Sequence, residues 1–423
     1  MSWQTPRDGH APLGAPASSQ ALAAFVSYRE ARADGDGGNH RTYQIRFDLE
    51  AALGPERVWT LSVDEWLADP HHDLVASARA SWLLRLRRRT SRMVENPYKL
   101  LRREAWSHGV RFGTQGVLSQ GFVETYAQQL QSWLRPAVCI VDHPMFDQIR
   151  AINARAGIPT LIASHNLESL DVGRLRLDRQ LDAQMAGVDL ANELRALARY
   201  DARLAISKVE ASLLTGVGLE CAFYPYVPRG EVRAGLAQVA ARRVEHPPDP
   251  HLFILMGTAY HAPTRRSLDW FIRQAMTSGL PPMARVAIVG DRVAELMPPA
   301  RSVPGLELHG RVSNADLAEL LSRAGTALVP QRMGFGALTR IAEFACAGVP
   351  VLTFPHAAFA IDPSPGLSVL PDDSWPTLVG GMQASMGRIE RVDPAAYTAW
   401  EQQAPRPLGQ AVRRLLAHHA VGG

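Results

Sequence analysis

The stretch PQRMGFGALTRIAEFACAGVPVL, residues 330–352, decides how this chain folds. Residues 326–329, just before it, form a short apolar run that reads as a strand ending at Pro330. Gly334 and Gly336 then make a loop, an apolar-periodic helix follows, and Gly348 with Pro350 closes it. Residues 349–353 are the next strand. Strand, glycine loop, helix, strand is the repeating unit of a parallel α/β sheet.

Upstream the same alternation continues. Ser313 and Asp316 resemble a capping box, and Leu317, Leu320, Leu321 and Ala324 share one helical face. Gly325 is expected to stop that helix. Strands are expected at residues 251–256, 286–289 and 306–309, with a helix at 264–277. Residues 228–250 are rich in Arg and Pro, and a domain boundary is placed there. Towards the N-terminus, residues 21–28 read as a buried strand, followed by a loop with Gly35, Gly37 and Gly38. A helix is expected at 41–53, ended by Gly54-Pro55, and a second strand at 58–63. Residues 75–135 look mostly helical, and short strands are expected at 137–142, 159–164 and 203–207. The division expected is a loose N-terminus (1–20), an N-terminal Rossmann-like domain (21–228), a C-terminal one (229–400) and a final helix (401–423) crossing back to the first domain.

Composition sets outer limits. A chain of 423 residues is too long for one ordinary core and fits two domains of about 200 residues. With 46% hydrophobic and 20% charged residues it has the balance of a globular protein. The net charge of +4 is compatible with anionic partners without choosing among them. Cys139, Cys221 and Cys346 are widely spaced, with no metal-ligand or disulfide pattern. Residues 1–20 lack the apolar core of a signal peptide, and no run approaches the ~18 apolar residues of a membrane span. A cytoplasmic protein is expected, either free or peripheral at the inner face of the membrane.

The chemistry lies in residues 334–350. Two glycines before a helix allow close backbone approach to a phosphate, and the helix N-terminus favours negative charge. Arg340 lies in reach of the same anion, and Glu343, three residues on, could accept two hydroxyl hydrogen bonds of a ribose. A Gly-x-Gly alone begins many ordinary helices, whose Arg and Glu are solvated. Here Arg340, Glu343, Gly348 and Pro350 stand in register with it. The run resembles the C-terminal motif of family 4 glycosyltransferases, in the variant G-x-G-x-x-x-(K/R)-x-x-E-x-x-A-x-G-x-P. Gly334, Gly336, Arg340, Glu343, Gly348 and Pro350 match, Cys346 replaces the small alanine, and Phe335 stands where the family often has a first glutamate.

The resemblance implies a GT-B fold, two Rossmann-like domains facing each other across a cleft. It also implies a nucleotide-sugar donor as substrate, with no other cofactor. In that reading Gly334, Phe335, Gly336, Ala337 and Arg340 surround the diphosphate, and Glu343 holds the ribose. Gly257 and Arg292, at expected strand ends, and Val312, in the segment HGRVSNADLAELLSRA (309–324), complete the donor side. Arg266 is a weaker candidate.

In the N-terminal half Gly37-Gly38 resembles the family's first glycine loop, and Asp34-x-Asp36 reads as a chance match to a metal-binding pair. His143 and His165 each end an expected strand. His165, in ASHNLES (163–169), resembles the family's histidine facing the transferred sugar, and with Arg340 is the expected catalytic pair. Residues 206–214 and 224–228 resemble the family's domain-closing segment and hinge. Residues 64–130 match nothing in it. Within them, residues 82–93 mix five arginines with apolar residues, as a helix lying on anionic lipid would, or as an ordinary solvated helix. Nucleic acid is not an expected partner.

The expected activity is retaining, metal-independent transfer of a sugar to a hydroxyl acceptor, in glycan or glycoconjugate synthesis. Two rivals remain: a nucleotide-sugar epimerase, which would need further acid–base residues in the cleft, and a non-catalytic nucleotide-sugar binder, suggested by Phe335.

Overall fold

The computed structural model describes residues 21–68, 120–170, 183–297, 302–388 and 391–422. Residues 82–93, with their proposed lipid contact, lie outside them, as does most of the helical stretch expected at 75–135. Its described part is the helix Gln120–Ser132.

The chain builds two six-stranded parallel sheets. The first holds β1 (Ala23–Ser27), β2 (Val58–Ser62), β3 (Val138–Val141), β4 (Thr160–Ser164), β5 (Ala202–Ala205) and β6 (Ala222–Phe223), in the order β2-β1-β3-β4-β5-β6. The second holds β7 (Asp249–Met256), β8 (Arg285–Val289), β9 (Leu306–Gly310), β10 (Ala324–Val329), β11 (Val351–Thr353) and β12 (Leu367–Val369), in the order β12-β11-β10-β7-β8-β9. Each order reverses once, between β1 and β3 and between β7 and β10. In an open parallel sheet a crevice opens outside the carboxyl ends of the strands at such a reversal.

The central strands are buried on both faces, as crossover helices require. Along β1, Ala24 and Val26 enter one apolar cluster and Ala23 and Phe25 the opposite one. Along β7, Phe253 and Leu255 face one way and Leu252 and Ile254 the other. The last helix, Pro407–Gly422, puts Leu408 and Val412 into the cluster with Ala23 and Phe25, so the chain's end packs on the first sheet. Burial of a large side chain such as Leu408 or Val412 contributes about 1.5–3 kcal/mol.

Three local readings change. Gly325 lies inside β10 and stops no helix; the helix before it ends at Arg323. A Cβ there would sit 2.7 Å from the Asp249 carbonyl oxygen, so glycine allows β10 to approach β7 where their register shifts. The first helix runs Gly37–Leu53, four residues earlier than the apolar pattern shows. Asp36 caps it, accepting from Gly38 and Asn39 N–H at 2.9 and 3.2 Å, while the Asn39 side chain accepts from Asp36 N–H. The motif helix spans Thr339–Cys346, so Gly336 precedes it by three residues and Arg340 lies in its first turn.

Candidate functional site

Both sheet reversals carry the residues singled out above. On the second sheet, Gly257 follows β7 and the loop with Gly334 and Gly336 follows β10. Both loop glycines have left-handed backbone, with φ of 106° and 79°. At Gly336 a Cβ would sit 2.8 Å from the carbonyl oxygen of His165, so the loop lies directly on the turn after β4. Its N–H donates to Glu210 Oε1 at 2.9 Å, and the same oxygen accepts from Leu167 N–H at 2.8 Å. Gly336→Ala is expected to cost about 1–2 kcal/mol through the left-handed backbone alone, with further loss from pushing loop and turn apart. Urea unfolding of the two proteins measures it.

Arg340 stands beneath this loop. Its Nη2 donates to Gln331 Oε1 at 2.9 Å, and Gln331 Nε2 donates to the Met333 carbonyl at 2.7 Å. A small cavity lined by Met256, Thr264, Leu268, Gln331 and Arg340 adjoins it. A Cβ at Gly257 would come within 3.4 Å of Arg340 Nη1 and would collide with Thr264, so glycine keeps this approach open. Burial pushes the guanidinium down to about 10, against the pull of Glu343; it stays a cation at neutral pH.

Glu343, one turn further, faces the first sheet's unit. Its Oε1 accepts from Tyr226 Oη at 3.0 Å and lies 2.8 Å from His40 Nδ1. Burial works to raise this carboxyl, but His40, Tyr226 and Arg340 hold it below the usual carboxylate range. For His40, burial works to lower the imidazole; Glu343, the Ala33 carbonyl and Asp36 outweigh it and raise it. A Cβ at Gly37 would collide with the Thr339 hydroxyl, so the N-termini of the first helix and the motif helix meet. No side chain caps the motif helix, and its first turn has no acidic residue. Its N–H groups and dipole therefore favour an anion.

On the first sheet, Asp142 follows β3 and His165 follows β4. Asp142 is fully buried. Its Oδ1 accepts from Tyr28 N–H at 3.0 Å, while Oδ2 lies 3.1 Å from Thr42 Oγ1 and 3.3 Å from His165 Nε2. A buried carboxylate so placed fixes the ring and favours a proton on Nε2. His143 is arranged differently: its Nδ1 accepts from Met145 N–H at 3.1 Å, which puts the proton on Nε2, 3.4 Å from Glu168.

The remaining expected residues scatter. Gly38 donates to the Asp36 cap, which is also the role of Asp36 in the Asp-x-Asp match. Phe335 is half-buried between the two loop glycines, and Ala337 packs against Ile206 and Tyr226. Val312 packs on the apolar cluster that holds Val329 and Ile341. Arg292 departs most from expectation: it is half-exposed and its guanidinium forks onto Glu295 at 2.9 and 2.8 Å. Arg266 Nη1 stands 3.8 Å from Met333 Sδ. Sequence reading missed His40, Tyr226 as a ligand of Glu343, Asp142 and Glu210. Among the described residues no three His, Cys, Asp or Glu side chains are grouped to hold a metal. None of their helices is long and apolar enough to cross a membrane.

No family model matches the sequence, and no curated protein matches it. Solved structures do match in fold. HepE of Anabaena, solved with UDP and glucose, aligns over 95% of this chain and 100% of its own at a TM-score of 0.54 and 10% identity. Sucrose-phosphate synthase of Thermosynechococcus elongatus aligns over 94% of both chains, with a TM-score of 0.53 and 14% identity. A glycosyltransferase of Rickettsia africae covers 94% of this chain and 98% of its own, at 0.53 and 10% identity. At such identity the likeness is one of fold. The chain has the GT-B fold, two Rossmann-like units facing each other across a cleft.

Proposed function

We propose that the chain transfers a sugar from a nucleoside-diphosphate sugar to a hydroxyl acceptor, with retention of anomeric configuration and without a metal. One observation carries the reading: Arg340 and Glu343 present a buried cation and a carboxylate one turn apart, at an uncapped helix N-terminus that faces the opposite unit. A leaving diphosphate needs positive charge aimed at it, and a ribose needs an acceptor beside it.

In this reading Arg340 and the motif helix's first N–H groups take the diphosphate charge. The Gly336 N–H faces Glu210 as the units stand here, so it takes none. Glu343 receives the ribose hydroxyls. His165, held by Asp142, faces the transferred sugar or the acceptor hydroxyl from the other wall of the cleft. Retention is supported by the motif at residues 334–350.

Thermal unfolding against UDP, GDP, ADP, dTDP and CMP tests the site. A nucleotide at about a hundred times its Kd stabilises the fold by about 2.7 kcal/mol, a rise of several degrees. The expected result is one nucleotide that stabilises the wild type and leaves Glu343→Ala unmoved. A folded wild type that no nucleotide stabilises at millimolar concentration sinks the reading.

A second reading has an observation of its own. The pairs His143–Glu168 and His165–Asp142 put two histidines, each beside a carboxylate, after β3 and β4, and a nucleotide-sugar epimerase would call on such acid–base groups. An altered sugar released without any acceptor would favour it over transfer.

A further inference from the structure

No sequence motif marks His40, yet it reaches from the first helix of one unit to the carboxylate of the other. Its Nδ1 lies 2.8 Å from Glu343 Oε1, and its Nε2 lies 3.1 Å from the Ala33 carbonyl oxygen. A carbonyl can only accept, and a carboxylate that also receives the Tyr226 hydroxyl is an acceptor too. Both ring nitrogens must then carry protons. The geometry asks for an imidazolium, in a ring only 16% exposed.

Glu343 is divided by these contacts. His40 and Tyr226 both end on Oε1, and among the described residues no hydrogen bond ends on Oε2. A carboxylate offers about four lone-pair positions, two on each oxygen. With Oε1 filled, Oε2 retains two, which matches the two neighbouring hydroxyls of a ribose.

We propose that His40 is a positioning residue for the nucleotide: with Tyr226 it holds Glu343 by Oε1 and so presents Oε2 to a ribose diol. The proposal rests on reading Glu343 as the ribose acceptor. His40 and Glu343 belong to opposite units, so nucleotide binding and the apposition of the units favour each other, by reciprocal linkage.

A pH dependence follows. The charged groups acting on His40 are Glu343 of the motif helix and Asp36 at the first helix's cap, and Glu343 in turn has Tyr226 of the linker between the sheets and Arg340 beside it. Despite burial, hydrogen bonds and neighbouring cations keep Glu343 and Asp36 below the usual carboxylate range. Burial puts Tyr226 well above its ordinary value and brings Arg340 down to about 10. Near neutral pH, His40 is the member of this group that titrates. Its pKa is raised, so the charged clamp is present at low pH and is lost as pH rises through the raised value. A neutral ring keeps one proton and must give up either Glu343 or Ala33.

The test is calorimetric titration of the full chain with UDP, GDP and ADP in parallel, from about pH 5.5 to about pH 8.5. The proteins are wild type, His40→Asn, Tyr226→Phe and Glu343→Ala. An Asn amide can stand where Nδ1 stands, donating without titrating. Wild-type affinity is expected to fall about tenfold more across this range than that of His40→Asn. The nucleotide phosphate's own titration is common to both and cancels. Tyr226→Phe should bind about fivefold more weakly, with the wild-type pH profile retained. Parallel profiles for wild type and His40→Asn, with binding lost in Glu343→Ala, overturn the role of His40 and leave the ribose site standing. Full binding by Glu343→Ala, or none by wild type, overturns the site and the proposal together. Should His40→Asn not fold, His40→Gln replaces it, and a wild-type affinity that follows phosphate titration alone is itself disproof.

Discussion

Arg340→Ala is expected to lower the rate of sugar transfer by about 10²- to 10³-fold, the usual loss on removing one preorganised group from a developing negative charge. The argument rests on where the guanidinium is. It is buried beside the glycine loop, held by Gln331 and pulled by Glu343, with its surroundings already arranged before substrate arrives. Charge on the leaving diphosphate grows as the glycosidic bond breaks, so the interaction is strongest in the transition state. The loss should therefore appear mainly in kcat, with a smaller change in nucleotide affinity. Arg340→Lys keeps a charge but loses the planar guanidinium and its Nη2 bond to Gln331, and should fall between the two. Nucleotide-release assays with sugar donors of the nucleotide that the unfolding screen identifies provide the measurement. Equal kcat for wild type and Arg340→Ala would remove Arg340 from the chemistry.

The largest expected effect on stability lies away from the cleft, at Arg229. Its side chain is 6% exposed and joins two carboxylates: Nε meets Asp48 Oδ1 at 2.9 Å and Nη1 meets Glu401 Oε1 at 3.1 Å. Arg233 binds the other oxygen of Glu401 at 2.8 Å, and the Tyr224 hydroxyl donates to Asp48 at 2.7 Å. A buried ion pair adds little over an apolar substitute, but removing one partner leaves an uncompensated charge. Arg229→Ala leaves Asp48 with the Tyr224 hydroxyl and Glu401 with the partly exposed Arg233, and is expected to destabilise the fold by about 2–3 kcal/mol. Urea unfolding at neutral pH measures this. A loss below about 1 kcal/mol, as at an exposed pair, would show that water already reaches the knot.

Much of this architecture could be read along the chain because its signals are local. Apolar runs bounded by glycine and proline marked β1, β3, β4, β7, β8 and β10. β6 and β12 escaped notice: they are two and three residues long and carry little buried apolar surface. The start of the first helix was missed because polar chemistry sets it, through the reciprocal bonds of Asp36 and Asn39, and not by apolar spacing. Gly325 was misread since a helix stop and a close strand approach call for the same residue. Arg340 and Glu343 were legible in the site because one short helix fixes their spacing. His40 was not, since it lies 303 residues from Glu343 in sequence and nothing nearby marks it. The same holds for Asp142 beneath His165 and for Glu210 against Gly336: tertiary proximity, not spacing, gives each its partner.

The chain passes between the sheets twice, once after β6 and again before the helix Pro407–Gly422, whose apolar face lies on the first sheet. Arg229 stands on the outward passage, and Glu401 stands a few residues before the return. Their bond fastens the two passages to each other, like a door hung on two pins. Because the same guanidinium holds Asp48 of the first helix, the joined passages are also fastened to the first unit. A protein cut off before residue 407 would lose one pin along with the side chains that cover Ala23 and Phe25. Its first half would then have an apolar wall covered from this side mainly by Ile45 and Leu49 of the first helix, and a single tether.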